Sequence, residues 1–180
     1  MRKLIVSENV TLDGVMESPD LSYQSEDMAE VVQAQMLAAD ALLLGRVTYQ
    51  EFAAYWPFQT NDAAGVADYI NKVAKFVVSS TLANADWRNT TILGGNVAEE
   101  IAKLKQQSGK DIVVTGSGAL VHSLMPLNLI DEYRLFVNPL VVGRGKRLFP
   151  AGIDQKLQLV ESKTFSSGAL MLRYQPAQRA

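Results

Sequence analysis

Short, wholly apolar runs alternate along this chain with segments of helical period, and that alternation limits the folds open to it. Residues 41–44, Ala-Leu-Leu-Leu, carry no polar side chain, as a strand covered on both faces requires. Residues 4–7, 76–79 and 111–115 read as further strands, and 92–93 as a very short one. Between them lie helix patterns. In residues 26–38, Met28, Val31, Val32, Gln35 and Met36 recur at helical spacing behind acidic Glu26 and Asp27. Residues 96–107 put Val97, Ile101 and Leu104 on one face. Further helices are expected from near Val47, over 66–73 and over 120–124. Residues 8–25 and 57–65 read as loops. A long strand is expected over 132–142, with Asn138-Pro139 marking an edge or a bulge. Residues 143–147 form a turn, and 156–165 with 169–174 a hairpin around Ser166-Ser167-Gly168. The order predicts one α/β domain over residues 1–180, with a mainly parallel central sheet and an antiparallel C-terminal edge.

Composition narrows the chemistry. There is no Cys and a single His, His122, which excludes a disulfide framework, a thiolate or multi-histidine metal site and a cysteine nucleophile. No metal is expected. Seventeen Lys and Arg face nineteen Asp and Glu, a net charge of -2. Nucleic acid and anionic membrane both call for a positive field, so neither is an expected partner. With no signal-peptide core and no long apolar run, a cytoplasmic protein is the default expectation.

Three motifs can carry chemistry. In Leu42-Leu43-Leu44-Gly45-Arg46-Val47-Thr48 a buried strand runs into Gly, Arg and a helix start. Free N–H groups, close backbone approach and a guanidinium make a phosphate site there. A tight turn with a solvated Arg fits equally well. In Val113-Val114-Thr115-Gly116-Ser117-Gly118-Ala119-Leu120 a strand again enters a glycine turn before a helix. The third glycine of the dinucleotide fingerprint is missing, but two such turns in one sheet converge where ligands collect. Val77-Val78-Ser79-Ser80-Thr81 places hydroxyls at a strand end and by itself reads as a turn.

With Val10-Thr11-Leu12-Asp13-Gly14 before them and Leu129-Ile130-Asp131-Glu132 and Pro139-Leu140-Val141-Val142-Gly143-x-Gly145 after them, these motifs resemble the dihydrofolate reductase superfamily. The branch is that of the C-terminal reductase domain of the riboflavin-biosynthesis deaminase-reductase (RibD C-terminal), and the resemblance covers nearly the whole chain. It implies a dihydrofolate reductase-like three-layer α/β/α sandwich. It implies NADPH as cofactor and hydride transfer to a C=N or carbonyl of a small heterocyclic substrate, as in 5-amino-6-(5-phosphoribosylamino)uracil reductase. It also implies a homodimer. Gly45, Arg46 and Thr48 match the turn that holds cofactor phosphates. Ser79 and Ser80 match residues near the adenosine ribose and its 2′-phosphate, and Gly116, Ser117, Gly118, Ala119 and Leu120 match the pyrophosphate loop. Phe52 and Trp56 sit where the family lines its substrate pocket, with core packing the equal alternative. Asp13 and Asp27 are the candidate catalytic carboxylates, though Asp13-Gly14 is also a turn and Asp27 also suits a helix N-terminus. Riboflavin-pathway reductases carry Lys and Glu where this chain has Val15 and Thr115. Both changes remove charge from the substrate side and argue against a phosphoribosylamino-pyrimidine substrate. The alternative function is a nucleotide-binding sensor or scaffold without turnover.

Overall fold

A computed structural model describes residues 1–17, 21–60 and 65–177. Its strands are β1 (Leu4–Thr11), β2 (Ala39–Gly45), β3 (Ala74–Val78), β4 (Thr90–Leu93), β5 (Asp111–Val114), β6 (Glu132–Asn138), β7 (Leu157–Thr164) and β8 (Leu170–Pro176). The α-helices among the described residues are α1 (Glu26–Ala38), α2 (Arg46–Tyr55), α3 (Val66–Lys72), α4 (Val97–Gln106) and α5 (Gly118–Leu124). A 3-10 turn, Trp56–Phe58, continues α2. The expected loops at 8–25 and 57–65 include residues 18–20 and 61–64, which lie outside the described residues.

The strands form one sheet in the order β4-β3-β2-β5-β1-β6-β8-β7. All pairs from β4 to β6 are parallel, and β8 joins β6 and β7 antiparallel. The sheet is thus mainly parallel with an antiparallel C-terminal edge, and helices cover both faces. On one face Leu4, Val6, Leu43, Ile112 and Val114 pack with Ile101 and Leu104 of α4 and Val121 and Leu124 of α5. On the other, Leu42, Leu44 and Val77 meet Tyr49 of α2, Ile70 of α3 and Trp87. Further along that face Met28 of α1 packs with Phe136 and Met171. The apolar runs are apolar because both faces of these strands are dry.

β2, β3 and β4 each begin two residues before their expected starts, and two strands differ from expectation by more. β1 continues to Thr11 rather than ending at residue 7, because β6 pairs with it as far as Thr11 and Asn138. β6 stops at Asn138 and does not extend to residue 142. It lies between β1 and β8 rather than at an edge. Pro139 has no amide to offer a ladder, and the next amide, that of Leu140, turns back to the carbonyl of Asn138 at 2.8 Å.

Lys75 occupies a buried position in β3, fully removed from solvent. Its ammonium donates to the carbonyls of Ile70 and Val73 at 2.9 and 2.8 Å and lies 4.4 Å from the Trp87 ring centroid. It therefore caps the end of α3, where carbonyls lack helical donors. Burial, with Arg88 nearby, pushes its pKa down to about 8. Lys75→Met should leave those carbonyls without a donor and cost about 3 kcal/mol of stability. Urea unfolding of both proteins checks this; an unchanged midpoint would show that the cap contributes nothing.

Candidate functional site

The pairing of β1 with β5 ends at Val6 and Val114, while its pairing with β6 runs on. The strands therefore part at their carboxyl ends, where ligands bind in open α/β sheets. Two of the glycine turns dock onto each other beside this opening. The amide of Gly45 donates to the Ser117 hydroxyl oxygen at 3.0 Å, and the Thr48 hydroxyl donates to the Gly116 carbonyl at 3.1 Å. Gly116 has φ +69, and a Cβ there would lie 3.2 Å from Cγ2 of Thr48. Glycine is needed for both the backbone conformation and the approach. Gly118 and Ala119 are the first residues of α5 rather than preceding it, and Leu120, the expected start, is its third residue. Gly118 packs under Met16, whose sulfur would lie 2.8 Å from an added Cβ.

At the N-terminus of α2 the capping residue is Gly45, so no side chain occupies the first amides. Arg46 lines a groove of about 330 Å³ with Val78, Ser79, Ser80, Thr81 and the backbone of Gly94 and Gly95. The structure brings Arg46, Ser79 and Ser80 together. Among the described residues no carboxylate lines this groove, though the Glu100 carboxylate packs against Gly95, and Arg46 makes no ion pair, only a hydrogen bond to Gln50 at 3.2 Å. The Ser79 hydroxyl oxygen accepts the amides of Thr81 and Leu82, so this residue also shapes its own turn. A larger cavity of about 940 Å³ lies elsewhere, between α2, α3 and the segment before β4, and none of the phosphate-type motif residues line it.

Phe52 reaches the opening, since a Cβ on Gly116 would lie 3.7 Å from its ring. Its ring meets Trp56 edge-on with centroids 6.1 Å apart. Both rings are half-buried against the α2–α3 core.

Asp13 and Asp27 are not brought together. Asp13 accepts the Thr11 hydroxyl at 2.7 Å and the Gly143 amide at 2.9 Å, which fastens the loop after β1 to the segment after β6. Those bonds, the hydroxyl first, hold its pKa down at about 2. Asp27 accepts the Ser25 hydroxyl at 2.5 Å and the amide and hydroxyl of Ser166 at 3.0 and 2.9 Å. This ties the start of α1 to the β7–β8 turn, and the Ser25 hydroxyl and Ser166 amide hold its pKa at about 2 as well.

Glu8 was missed by sequence reasoning. It lies on β1, 5% exposed, and its Oε2 accepts the Gly116 amide at 3.0 Å. Burial pushes its pKa up from 4.5 to about 8, against the lowering effect of the Gly116 and Ser117 amides. The available signal was its place in the Leu4, Val6, Glu8, Val10 alternation. Gly94-Gly95, a third strand-to-helix glycine turn, was also overlooked.

The RibD C-terminal domain pattern matches residues 2–171. The chain belongs to the RibD C-terminal domain family. It is 32% identical to the uncharacterized protein YyaP of Bacillus subtilis strain 168, over 96% of this chain and 94% of that one. It is 28% identical to YwjB of the same organism, over 96% and 97%. A putative riboflavin biosynthesis protein from Shewanella sp. PV-4 superposes with TM-score 0.72 at 19% identity, covering 98% of this chain and 99% of that one. A pyrimidine reductase-like protein from Corynebacterium diphtheriae gives 0.66 at 13% identity, covering 99% and 93%. These likenesses carry the expected fold. No described helix is long and apolar enough to cross a membrane.

The raised pKa of Glu8 has a definite sign. Between pH 4.5 and about 8 the folded RibD-family chain holds a proton that the unfolded chain has released. Wild type therefore loses stability as pH rises through that window, by on the order of a few kcal/mol. Glu8→Gln lacks this loss. Its melting temperature should gain on wild type by several degrees between pH 5 and pH 8, and a constant difference across that range would place the Glu8 titration elsewhere.

Proposed function

We propose that this RibD-family protein is an NADPH-dependent reductase acting on a small heterocycle. The observation that carries the reading is Arg46: a guanidinium with no ion pair among the described residues, in a groove of hydroxyls and glycine backbone at the open N-terminus of α2. That donor set suits a phosphate. In this reading Arg46, Ser79 and Ser80 hold the adenosine 2′-phosphate. Gly45 and Thr48 fix the turn that Gly116, Ser117, Gly118, Ala119 and Leu120 present to the pyrophosphate. When bound, the reduced nicotinamide supplies a hydride, and the protein contributes orientation and field. Phe52 and Trp56 offer rings against which a planar substrate stacks.

The protein works as a homodimer in this proposal. Support comes from Leu159 and Val160, exposed on the edge strand β7. One observation favours the second reading, nucleotide binding without turnover. Asp13 and Asp27 are both held ionised by their neighbours, so neither has a proton to donate at neutral pH.

NADPH should raise the melting temperature of the purified protein. Arg46→Ala should weaken NADPH by one to two decades, roughly 1.5–3 kcal/mol for a charge-assisted bond. NADH, lacking the 2′-phosphate, should lose much less. Titrating both proteins with both cofactors checks this. Equal losses would move Arg46 to the shared pyrophosphate, and no NADPH binding by wild type would overturn the cofactor. NADPH oxidation with candidate heterocycles then separates reductase from binding protein.

A further inference from the structure

Beyond Val6 the edge of β1 no longer pairs with β5, and the Glu8 carboxyl reaches across the gap instead. It faces the same side of the sheet as Leu4, Val6 and Val10. One oxygen accepts the Gly116 amide at 3.0 Å, and the other, Oε1, is buried with no hydrogen-bond partner among the described residues. A leucine would fill this place without a desolvation cost. The turn that Glu8 holds is the same one that docks onto Gly45 and Thr48.

We infer that Glu8 is a positioning residue for the Gly116-Ser117-Gly118 turn, and that the charge on its carboxyl sets how tightly the turn accepts an anion of the pyrophosphate class. The inference rests on the cofactor reading above. With the carboxyl neutral, the turn keeps its shape and brings no negative charge toward a bound phosphate. Once ionised, the carboxylate draws the neighbouring amides to itself and repels the phosphate, and both effects oppose binding.

Other titratable groups on the surrounding elements have partners of their own. Tyr133 of β6 donates to Gln155. His122 of α5 is bonded to the Leu148 carbonyl at 2.9 Å. Asp13 and Glu17, in the loop after β1, pair with Arg147 and Lys146. Lys105 of α4 pairs with Asp131, and Arg46 of α2 bonds Gln50. Among the described residues no ion pair reaches Glu8, so its charge is set by burial and by the turn.

Carbon-detected NMR of wild type should show the Glu8 carboxyl carbon titrating near pH 8, with the Gly116 and Ser117 amide nitrogens following the same curve. In Glu8→Gln those nitrogens should stay flat. Nitrogens that do not move in wild type, or that move equally in Glu8→Gln, overturn the positioning role. The NADPH dissociation constant of wild type should rise about tenfold from pH 7 to pH 9.5, as for an anion beside a newly ionised carboxylate. For Glu8→Gln it should hold within about twofold over that range. Equal affinities for wild type at both pH values overturn the coupling. If wild type binds no NADPH at either pH, the cofactor reading and the coupling both fall, and the nitrogen titration still decides the positioning role without needing a ligand.

Discussion

Past the Val6–Val114 pair, β1 and β5 no longer share a ladder, and each backbone group beyond it must find another partner. Side chains take over. Glu8 receives the Gly116 amide, Thr48 donates to the Gly116 carbonyl, and Ser117 receives the Gly45 amide. Three elements distant in sequence are thereby fastened around one glycine at positive φ. The opening at the sheet's carboxyl edge and the fixed shape of its rim have the same origin. A ladder that continued would close the crevice, and unpartnered ends would let the rim move.

Three carboxylates stand near this edge and behave differently because their surroundings differ. Asp13 and Asp27 are surrounded by hydroxyl and amide donors and stay ionised far below neutral pH. They act as clasps, one between the loop after β1 and the segment after β6, the other between α1 and the β7–β8 turn. Glu8 has fewer donors and is buried, so desolvation outweighs its hydrogen bonds. Carboxylates whose environments drive their pKa values apart can take opposite roles within one fold. Here the two half-buried ones hold the loops, and the fully buried one remains open to a change of charge near neutral pH.

The sheet was legible where burial on both faces forces a continuous apolar run, as at residues 41–44. It was less legible where a polar residue serves the interior. Glu8 and Asn9 break the run of β1, so the second half of that strand reads as loop, although Val10 keeps the inward register. Lys75 likewise stands before the apolar run of β3, yet it is buried because the end of α3 needs a donor. At β6 the pattern continues through 140–142 and only the missing amide of Pro139 stops it. The strand–glycine–helix turns could be found because their chemistry is local. The closure of Gly116 onto Thr48 and Glu8 could not, since it depends on contacts 68 and 108 residues apart.

The substrate side departs from the riboflavin-pathway pattern in a way the packing makes concrete. Val15, where that pattern has Lys, is 3% exposed and forms an isolated bridge with Arg147. Its Cγ1 would lie 2.9 Å from a Cβ on Gly145, which has φ +103. A lysine there would have to leave this contact to find water or a phosphate, because a buried ammonium without partners is costly. Thr115, where the pattern has Glu, closes β5 beside the Gly116 turn with a neutral hydroxyl. The acidic group near that turn comes from β1 instead, as Glu8. On the reductase reading proposed above, a crevice with its carboxyl on another strand and a buried valine in place of the lysine would suit a less charged heterocycle than a ribose-phosphate-bearing pyrimidine. In that reading Phe52 and Trp56, rather than fixed charges, are the groups that would select its shape.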